Sequence, residues 1–139
     1  MSNERSGILF MCVANSARSQ MAEALARSMV DGRVSVFSAG SEPSRVNPFA
    51  TQALAEIGLS TDGHTSNGVD DVPMDQVRWL ITLCAEEVCP YVPGDVTRLH
   101  WPHPDPAGSK GSDDEILADF RTVRDALKSR ISDFLKELP

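Results

Sequence analysis

The run from Cys12 to Ser19 constrains the fold more than any other part of this chain. Four apolar residues, Ile8 to Met11, come directly before it, and a helical pattern follows it from Ser19 to Val30. A cysteine and an arginine, Cys12 and Arg18, therefore enclose five residues between a buried strand and a helix. This order predicts a strand–loop–helix unit whose loop can surround an anion.

The residue types in this loop indicate an oxyanion site with a nucleophile at its base. The backbone N–H groups of such a loop turn inward, and the helix N-terminus adds a partial positive charge. Arg18 can donate two parallel hydrogen bonds to a tetrahedral anion. Positive surroundings favour the reactive thiolate form of a cysteine, and Ser19 can donate a hydrogen bond to that thiolate. The predicted substrate-binding residues are Val13, Ala14, Asn15, Ser16, Ala17 and Arg18.

An inert, buried cysteine is the alternative interpretation of Cys12, because free cysteines are usually buried. In that case Arg18 would be a surface residue and Ser19 a capping residue. The Cys-x5-Arg-Ser spacing, the preceding strand and the following helix coincide here. Their coincidence favours the nucleophile loop.

Apolar segments alternate along the chain between strand-like and helix-like patterns. Strands are predicted at 7–13, Val34–Ser38, Trp79–Leu83 and Val96–Trp101. Helices are predicted at 17–30, at Pro48–Ile57, where Gly58 ends the helix, and from the capping box Ser112-x-x-Glu115 onward. The last helix carries an apolar stripe that we expect to pack in the core: Ile116, Phe120, Val123, Leu127, Ile131, Phe134 and Leu138. Alternating strands and helices favour a parallel sheet. We therefore predict a single α/β domain over residues 1–139, with a four-stranded parallel sheet and helices on both faces.

Three candidate side chains follow predicted strands. Cys12 ends the first strand, Cys84 follows the third, and Asp105 lies a few residues past the fourth. Because the carboxyl ends of parallel strands meet at one edge of the sheet, we expect these residues to converge there. The prolines that surround Asp105 restrict its backbone, which suits a fixed general acid, although Asp-Pro also forms ordinary surface turns.

The composition of the chain excludes some classes of binding partner and of cellular location. The chain has 139 residues, with 13 basic and 20 acidic ones, and a net charge of −7. Such an acidic chain is a poor candidate for binding nucleic acid or an anionic membrane. We expect no signal peptide and no membrane span, since no apolar run is long enough. Three cysteines do not suit a disulfide framework, so we expect a reducing, cytoplasmic location.

The residues from Cys12 to Arg18, extended by Ser19 to Glu23, resemble the signature of the low-molecular-weight tyrosine phosphatase superfamily. The resemblance is strongest to its thioredoxin-coupled arsenate reductases. Further similar segments are Phe37–Gly40, His64–Ser66, Leu80–Cys84 and Asp105–Gly108. The resemblance covers about residues 6 to 138, and it implies a flavodoxin-like topology.

The resemblance also implies a reaction and its residues. Arsenate would be reduced to arsenite through a covalent arseno-cysteine at Cys12, with Asp105 as general acid. Cys84 and Cys89 would then carry the oxidation as a disulfide, which thioredoxin would reduce as an external dithiol. Four residues separate these two cysteines here, where better-known relatives have six. Phosphate and sulfate would compete with arsenate as similar oxyanions.

Some members of the family bind potassium beside the loop. The matching positions here are Asn15, Glu23, Ser38 and Asn67. Position 67 is an acid in the potassium-binding form, so potassium is only a weak implication of the resemblance. No other bound cofactor or metal is expected.

Two other functions remain open from the sequence. A tyrosine phosphatase of the same superfamily would use the loop and Asp105 but would not need Cys84 or Cys89. Only Pro, His and Ala flank Asp105 here, where such phosphatases usually carry aromatic residues to hold a phenyl ring. A non-enzymatic arsenite sensor would use three thiolates, but no DNA-binding or partner-binding element is visible.

Overall fold

The structure is a computed structural model, and it describes residues 6–12, 17–30, 34–40, 44–61, 63–84, 96–106 and 110–137. The strands are β1 (Gly7–Cys12), β2 (Val36–Gly40), β3 (Val77–Thr82) and β4 (Thr97–His100). The α-helices are α1 (Arg18–Met29), α2 (Pro48–Ala55) and α3 (Asp113–Lys136). Two 3-10 turns, Val69–Asp71 and Met74–Gln76, precede β3.

The four strands form one parallel sheet in the order β2-β1-β3-β4. This is the strand order of flavodoxin-like folds, so the predicted sheet and topology are confirmed. Some strand bounds differ from the prediction. Strand β2 begins at Val36 and includes Gly40, because Gly40 pairs with Cys12 and donates its amide to the Asn67 carbonyl at 2.9 Å.

The two faces of the sheet carry different layers. On one face, the side chains of Ile8, Phe10 and Ile81 join a core cluster with residues of all three α-helices. On the other face, Leu9, Met11 and Leu80 pack with residues from the segment of the two 3-10 turns. In the described part of the chain, the three α-helices therefore lie on one face of the sheet, and not on both as predicted. Alternate residues of β1 therefore enter different cores, as expected for a strand buried on both faces.

Strand β1 lies in the middle of the sheet and is buried along its whole length. Its first residue, Gly7, approaches the chain before β3 so closely that a Cβ there would lie 2.5 Å from the Gln76 carbonyl oxygen. Only glycine fits such an approach without movement of the backbone. The central strand thereby carries Cys12 to the carboxyl edge of the sheet.

The ends of two helices match their predicted signals. Ser112 caps α3 by accepting the Glu115 amide hydrogen bond at 3.2 Å, and the Glu115 carboxylate accepts from the Ser112 amide at 3.3 Å. Gly58, predicted to end the second helix, adopts a φ of 80°. The amides of Gly58 and Leu59 donate back into α2, as in a Schellman motif.

The apolar stripe predicted on the last helix faces the core. Phe120, Val123, Leu127 and Ile131 are buried, and Ile116 and Phe134 are partly buried against them. Leu138, the last member of the stripe, lies outside the described residues. No helix in the described part of the chain is both long and apolar enough to cross a membrane.

Candidate active site

The thiol of Cys12 lies in a buried position at the end of β1. Its Sγ atom is 2.9 Å from the hydroxyl oxygen of Ser19, and Cys12 and Ser19 are 2 % and 0 % exposed. Helix α1 begins at Arg18, so Ser19 lies in its first turn, beside the end of the strand. When Cys12 is ionised, Ser19 is the donor in this pair and stabilises the thiolate.

Arg18 is buried and connects α1 to the segments that follow β3 and β4. Its Nη1 atom donates to the carbonyl oxygens of Leu83 at 3.2 Å and His103 at 3.1 Å. Its Nη2 atom lies 3.7 Å from a carboxylate oxygen of Asp105. These contacts fix the plane of the guanidinium at the carboxyl edge of the sheet.

The convergence predicted for the strand ends is present in the structure. Arg18 contacts Leu83, which directly precedes Cys84, and it also approaches Asp105. Cys84 is buried and is disulfide-bonded, whereas Cys12 is a free cysteine. The Asp105 side chain is 43 % exposed, so it is accessible from solvent at the edge of the site.

Several predicted site residues lie outside the described residues, namely Val13, Ala14, Asn15, Ser16 and Cys89. Of the predicted substrate-binding loop, Ala17 and Arg18 are described. Ala17 is buried and precedes α1, and its carbonyl accepts the Met21 amide at 2.9 Å. The binding role of the loop and the pairing of Cys84 with Cys89 therefore stay predictions.

His103 is the residue at this edge whose part in the site the sequence analysis missed. It is 8 % exposed, and its ring Nδ1 lies 2.8 Å from the Trp101 carbonyl oxygen. Since a carbonyl can only accept, Nδ1 carries the proton in this contact. Burial lowers the pKa of His103, and the guanidinium groups of Arg130 and Arg18 lower it further. A histidine so close to Asp105 in the sequence was the available signal.

Three of the four candidate potassium residues, Glu23, Ser38 and Asn67, come together in the structure, and Asn15 lies outside the described residues. The Ser38 hydroxyl donates to Glu23 Oε1 at 2.5 Å, and the Asn67 side-chain nitrogen lies 3.4 Å from the Ser38 carbonyl oxygen. The other carboxylate oxygen of Glu23 pairs with Arg27 at 2.8 Å.

Arg27 already balances the charge of Glu23, and Asn67 adds no second negative charge. The Asn67 oxygen accepts the Thr65 hydroxyl at 2.7 Å. The described residues therefore fit a bound potassium ion poorly. Among these residues, no group of three or more His, Cys, Asp and Glu side chains is placed to hold a metal ion.

A flavodoxin-like parallel sheet with a buried cysteine at the end of its central strand, and an arginine at the start of the next helix, has the architecture of small cysteine-dependent phosphatases. The model of one family, low molecular weight phosphotyrosine protein phosphatase, matches residues 7–139. The chain belongs to this family.

Curated relatives in this family are named arsenate reductases. The one from Halalkalibacterium halodurans is 41% identical over 129 residues, which cover 91% of this chain and 93% of the relative. The one from Bacillus subtilis is 38% identical over 129 residues, with the same coverage of both chains.

Solved structures with the same name share the fold. The arsenate reductase of Archaeoglobus fulgidus superposes with a TM-score of 0.80 at 31% identity, covering 94% of this chain and 99% of that one. An arsenate reductase in a phosphate-binding state has a TM-score of 0.82 at 32% identity, covering 96% and 99% of the two chains. A thioredoxin-dependent arsenate reductase from Corynebacterium glutamicum has a TM-score of 0.66 at 26% identity, covering 95% and 64%.

Proposed function

We propose that this chain is an arsenate reductase that converts arsenate to arsenite, with Cys12 as its nucleophile. The observation that carries the proposal is the free Cys12 thiol, paired with Ser19 and placed at the sheet edge where Arg18 meets Asp105 and the residue before Cys84. The names of the curated relatives and of the solved structures support the arsenate reductase activity.

In the first step, Arg18 and the backbone amides of the loop hold the arsenate oxyanion. The Cys12 thiolate attacks arsenic, and an oxygen leaves as water after Asp105 gives it a proton. Arg18 Nη2 is 3.7 Å from Asp105 in the structure, so an oxyanion on this atom would lie next to the acid. The product is a covalent arseno-cysteine.

In the second step, the Cys84 thiolate attacks the sulfur of Cys12. A Cys12–Cys84 disulfide forms, the sulfur–arsenic electron pair passes to arsenic, and As(V) leaves as As(III) in arsenite. Cys89 then attacks Cys84, which frees Cys12 and leaves a Cys84–Cys89 disulfide. A free Cys12 together with a disulfide-bonded Cys84 supports an oxidised state of this relay.

Thioredoxin is the proposed reductant of the final disulfide. The Corynebacterium glutamicum structure, described as thioredoxin-dependent, supports this choice. Thiol–disulfide exchange with an external dithiol returns both electrons without any bound cofactor. The cytoplasmic location stays a prediction, and a thioredoxin-linked reductase would suit a reducing compartment.

Weak phosphatase activity is a second proposed function of the same loop. The family match and the phosphate-binding state of a related structure favour it. A phosphocysteine at Cys12 would be hydrolysed by water, so this activity would not need Cys84 or Cys89.

Single and multiple turnovers of arsenate separate these roles. We expect Cys12→Ser to lose arsenate reduction and phosphatase activity, because a hydroxyl without an adjacent base is a poor nucleophile. Cys84→Ser and Cys89→Ser should keep phosphatase activity towards p-nitrophenyl phosphate but lose repeated arsenate turnover with thioredoxin, thioredoxin reductase and NADPH. In a single turnover, Cys89→Ser should release one arsenite and trap Cys12–Cys84, whereas Cys84→Ser should release none.

Mapping the trapped disulfide by mass spectrometry completes the test. Normal repeated turnover by Cys84→Ser or Cys89→Ser would refute the three-thiol relay. Phosphatase activity without any arsenite release from the unaltered protein would instead support the phosphatase function alone.

A further inference from the structure

His103 lies where the Asp105 segment joins the rest of the site. Its backbone amide donates to the Leu83 carbonyl at 3.2 Å, and its own carbonyl accepts from Arg18 Nη1 at 3.1 Å. Arg18 Nη1 also donates to the same Leu83 carbonyl at 3.2 Å. Arg18, Leu83 and His103 thus form a closed set of three hydrogen bonds between α1 and the ends of β3 and β4.

The imidazole of His103 fixes the backbone that takes part in this set. Its Nδ1–H group donates to the Trp101 carbonyl at 2.8 Å, which closes a turn over two residues. Trp101 itself is held firmly, since its amide donates to the Thr82 carbonyl at 2.8 Å and its ring packs against Phe10 and Phe134. The His103 ring is thereby anchored to a rigid part of the sheet.

We propose that His103 is a positioning residue, which holds the Arg18 guanidinium in its oxyanion-binding orientation by fixing the carbonyl that Arg18 donates to. The ring acts through its own backbone and does not need to contact the oxyanion. The same turn leads through Pro104 to Asp105, so His103 also sets the distance between the arginine and the proposed acid.

A neutral ring suits this role. Two positive charges act on the imidazole: Arg18 on α1 and Arg130 on α3, whose guanidinium lies over the Trp101 ring at 5.1 Å. A protonated His103 ring would add a third positive charge beside Arg18 and Arg130, and it would repel Arg18 from the turn. Burial lowers the pKa of His103 and so favours the uncharged ring, which donates a hydrogen bond without competing with Arg18 for an anion.

Two substitutions separate the hydrogen bond from the volume of the ring. In His103→Asn, the side-chain NH2 group takes the place of Nδ1 and keeps a donor for the Trp101 carbonyl. His103→Leu fills the space with apolar atoms and has no donor. His100→Asn is the matched control, because His100 lies at the same end of the sheet but is exposed and contacts Thr82.

The affinity for inorganic phosphate, measured by calorimetry on the reduced protein, is the main readout, because binding of phosphate needs no redox step. We expect His103→Leu to weaken phosphate binding about tenfold, the effect of losing one buried hydrogen bond. His103→Asn and His100→Asn should stay within about twofold of the unaltered protein. For p-nitrophenyl phosphate, His103→Leu should raise KM more than it lowers kcat.

The positioning role of His103 rests on the proposed oxyanion role of Arg18, and different results would contradict each of them. Absence of phosphate binding by the unaltered protein would count against the proposed function. Equal phosphate affinity in His103→Leu and the unaltered protein would overturn the positioning role. If His103→Leu does not fold, His103→Asn decides alone: normal affinity supports the role, and a tenfold loss in a folded protein overturns it.

Discussion

Two buried arginines, Arg18 and Arg124, hold similar places in this molecule but have different surroundings. Each lies on a helix and donates from Nη1 to a backbone carbonyl of another segment: Arg18 to Leu83 and His103, and Arg124 to Ala53 at 2.8 Å. Both are largely covered, with exposures of 2 % and 8 %. Their carbonyl contacts thus fix both guanidinium groups in the same manner.

The carboxylates around them differ. Arg124 pairs with Glu56 at 2.9 Å and with Asp125 at 2.8 Å, so two acids neutralise it at contact distance. Arg18 lies 3.7 Å from Asp105, which is beyond hydrogen-bonding distance. Neutral carbonyls orient a guanidinium without cancelling its charge. The two contact acids of Arg124 indicate a structural residue, whereas Arg18 lies at the carboxyl edge of the sheet, where we propose that the oxyanion binds.

Replacing each arginine by lysine gives the largest expected contrast. Arg18→Lys should lower kcat/KM for arsenate by about 10²–10³-fold, because an ammonium cannot reproduce the planar fork that holds both the carbonyls and the oxyanion. Arg124→Lys is the matched control, and its kcat/KM should stay within about twofold per folded molecule. Steady-state reduction with the thioredoxin system measures both. Near-normal activity of Arg18→Lys would contradict the oxyanion-binding role that distinguishes Arg18 from Arg124.

Removing Arg124 should act on stability rather than on activity. Arg124→Ala leaves the Ala53 carbonyl without this donor and Glu56 with one fewer cation, so we expect the free energy of unfolding to fall by about 1–3 kcal/mol. Arg121→Ala, which removes the more exposed partner of Glu56, should lower the free energy of unfolding by less than Arg124→Ala does, because ion pairs in contact with solvent contribute little. Urea unfolding measures both values. A loss of arsenate affinity in folded Arg124→Ala would contradict its structural assignment.

The sequence predicted the parts of the site that local chemistry determines. Cys12, Arg18 and Ser19 follow from one strand–loop–helix pattern, and the parallel strand order then places Cys84 and Asp105 nearby. The partners of Arg18 were not predictable, because they are main-chain carbonyls, and every residue carries one. The role of His103 depends on those carbonyls and was missed with them.

Arg124 illustrates the same limit within a helix. It lies one residue after Val123 in a helix whose apolar stripe was predicted, and nothing local indicates that it is buried. Its burial depends on Glu56 and on the Ala53 carbonyl, which are 68 and 71 residues away. Similarly, β2 extends to Gly40 because Gly40 pairs with Cys12. The strand preference of the residues from Val34 to Ser38 carries no information about that pairing.

The acid dependence of stability is the smallest expected difference between the two regions. The hydrogen bond from Arg121 lowers the pKa of Glu56 from 4.5 to about 2, and Arg124 adds to this effect. Because the folded state lowers this pKa, the ionised form contributes stability that is fully present above about pH 4.5 and is lost as the pH falls towards 2. Glu56→Gln should therefore be less stable than the unaltered protein at pH 7, and this difference in stability should narrow between pH 4.5 and 2.

Urea unfolding across this pH range measures the difference in stability. The control is Glu137→Gln, a change in an exposed acid at the end of α3. A stability difference that does not change with pH would mean that the two arginines do not stabilise the Glu56 carboxylate. Glu56 would then not compensate the charge of Arg124, and this contrast with Arg18 would be wrong.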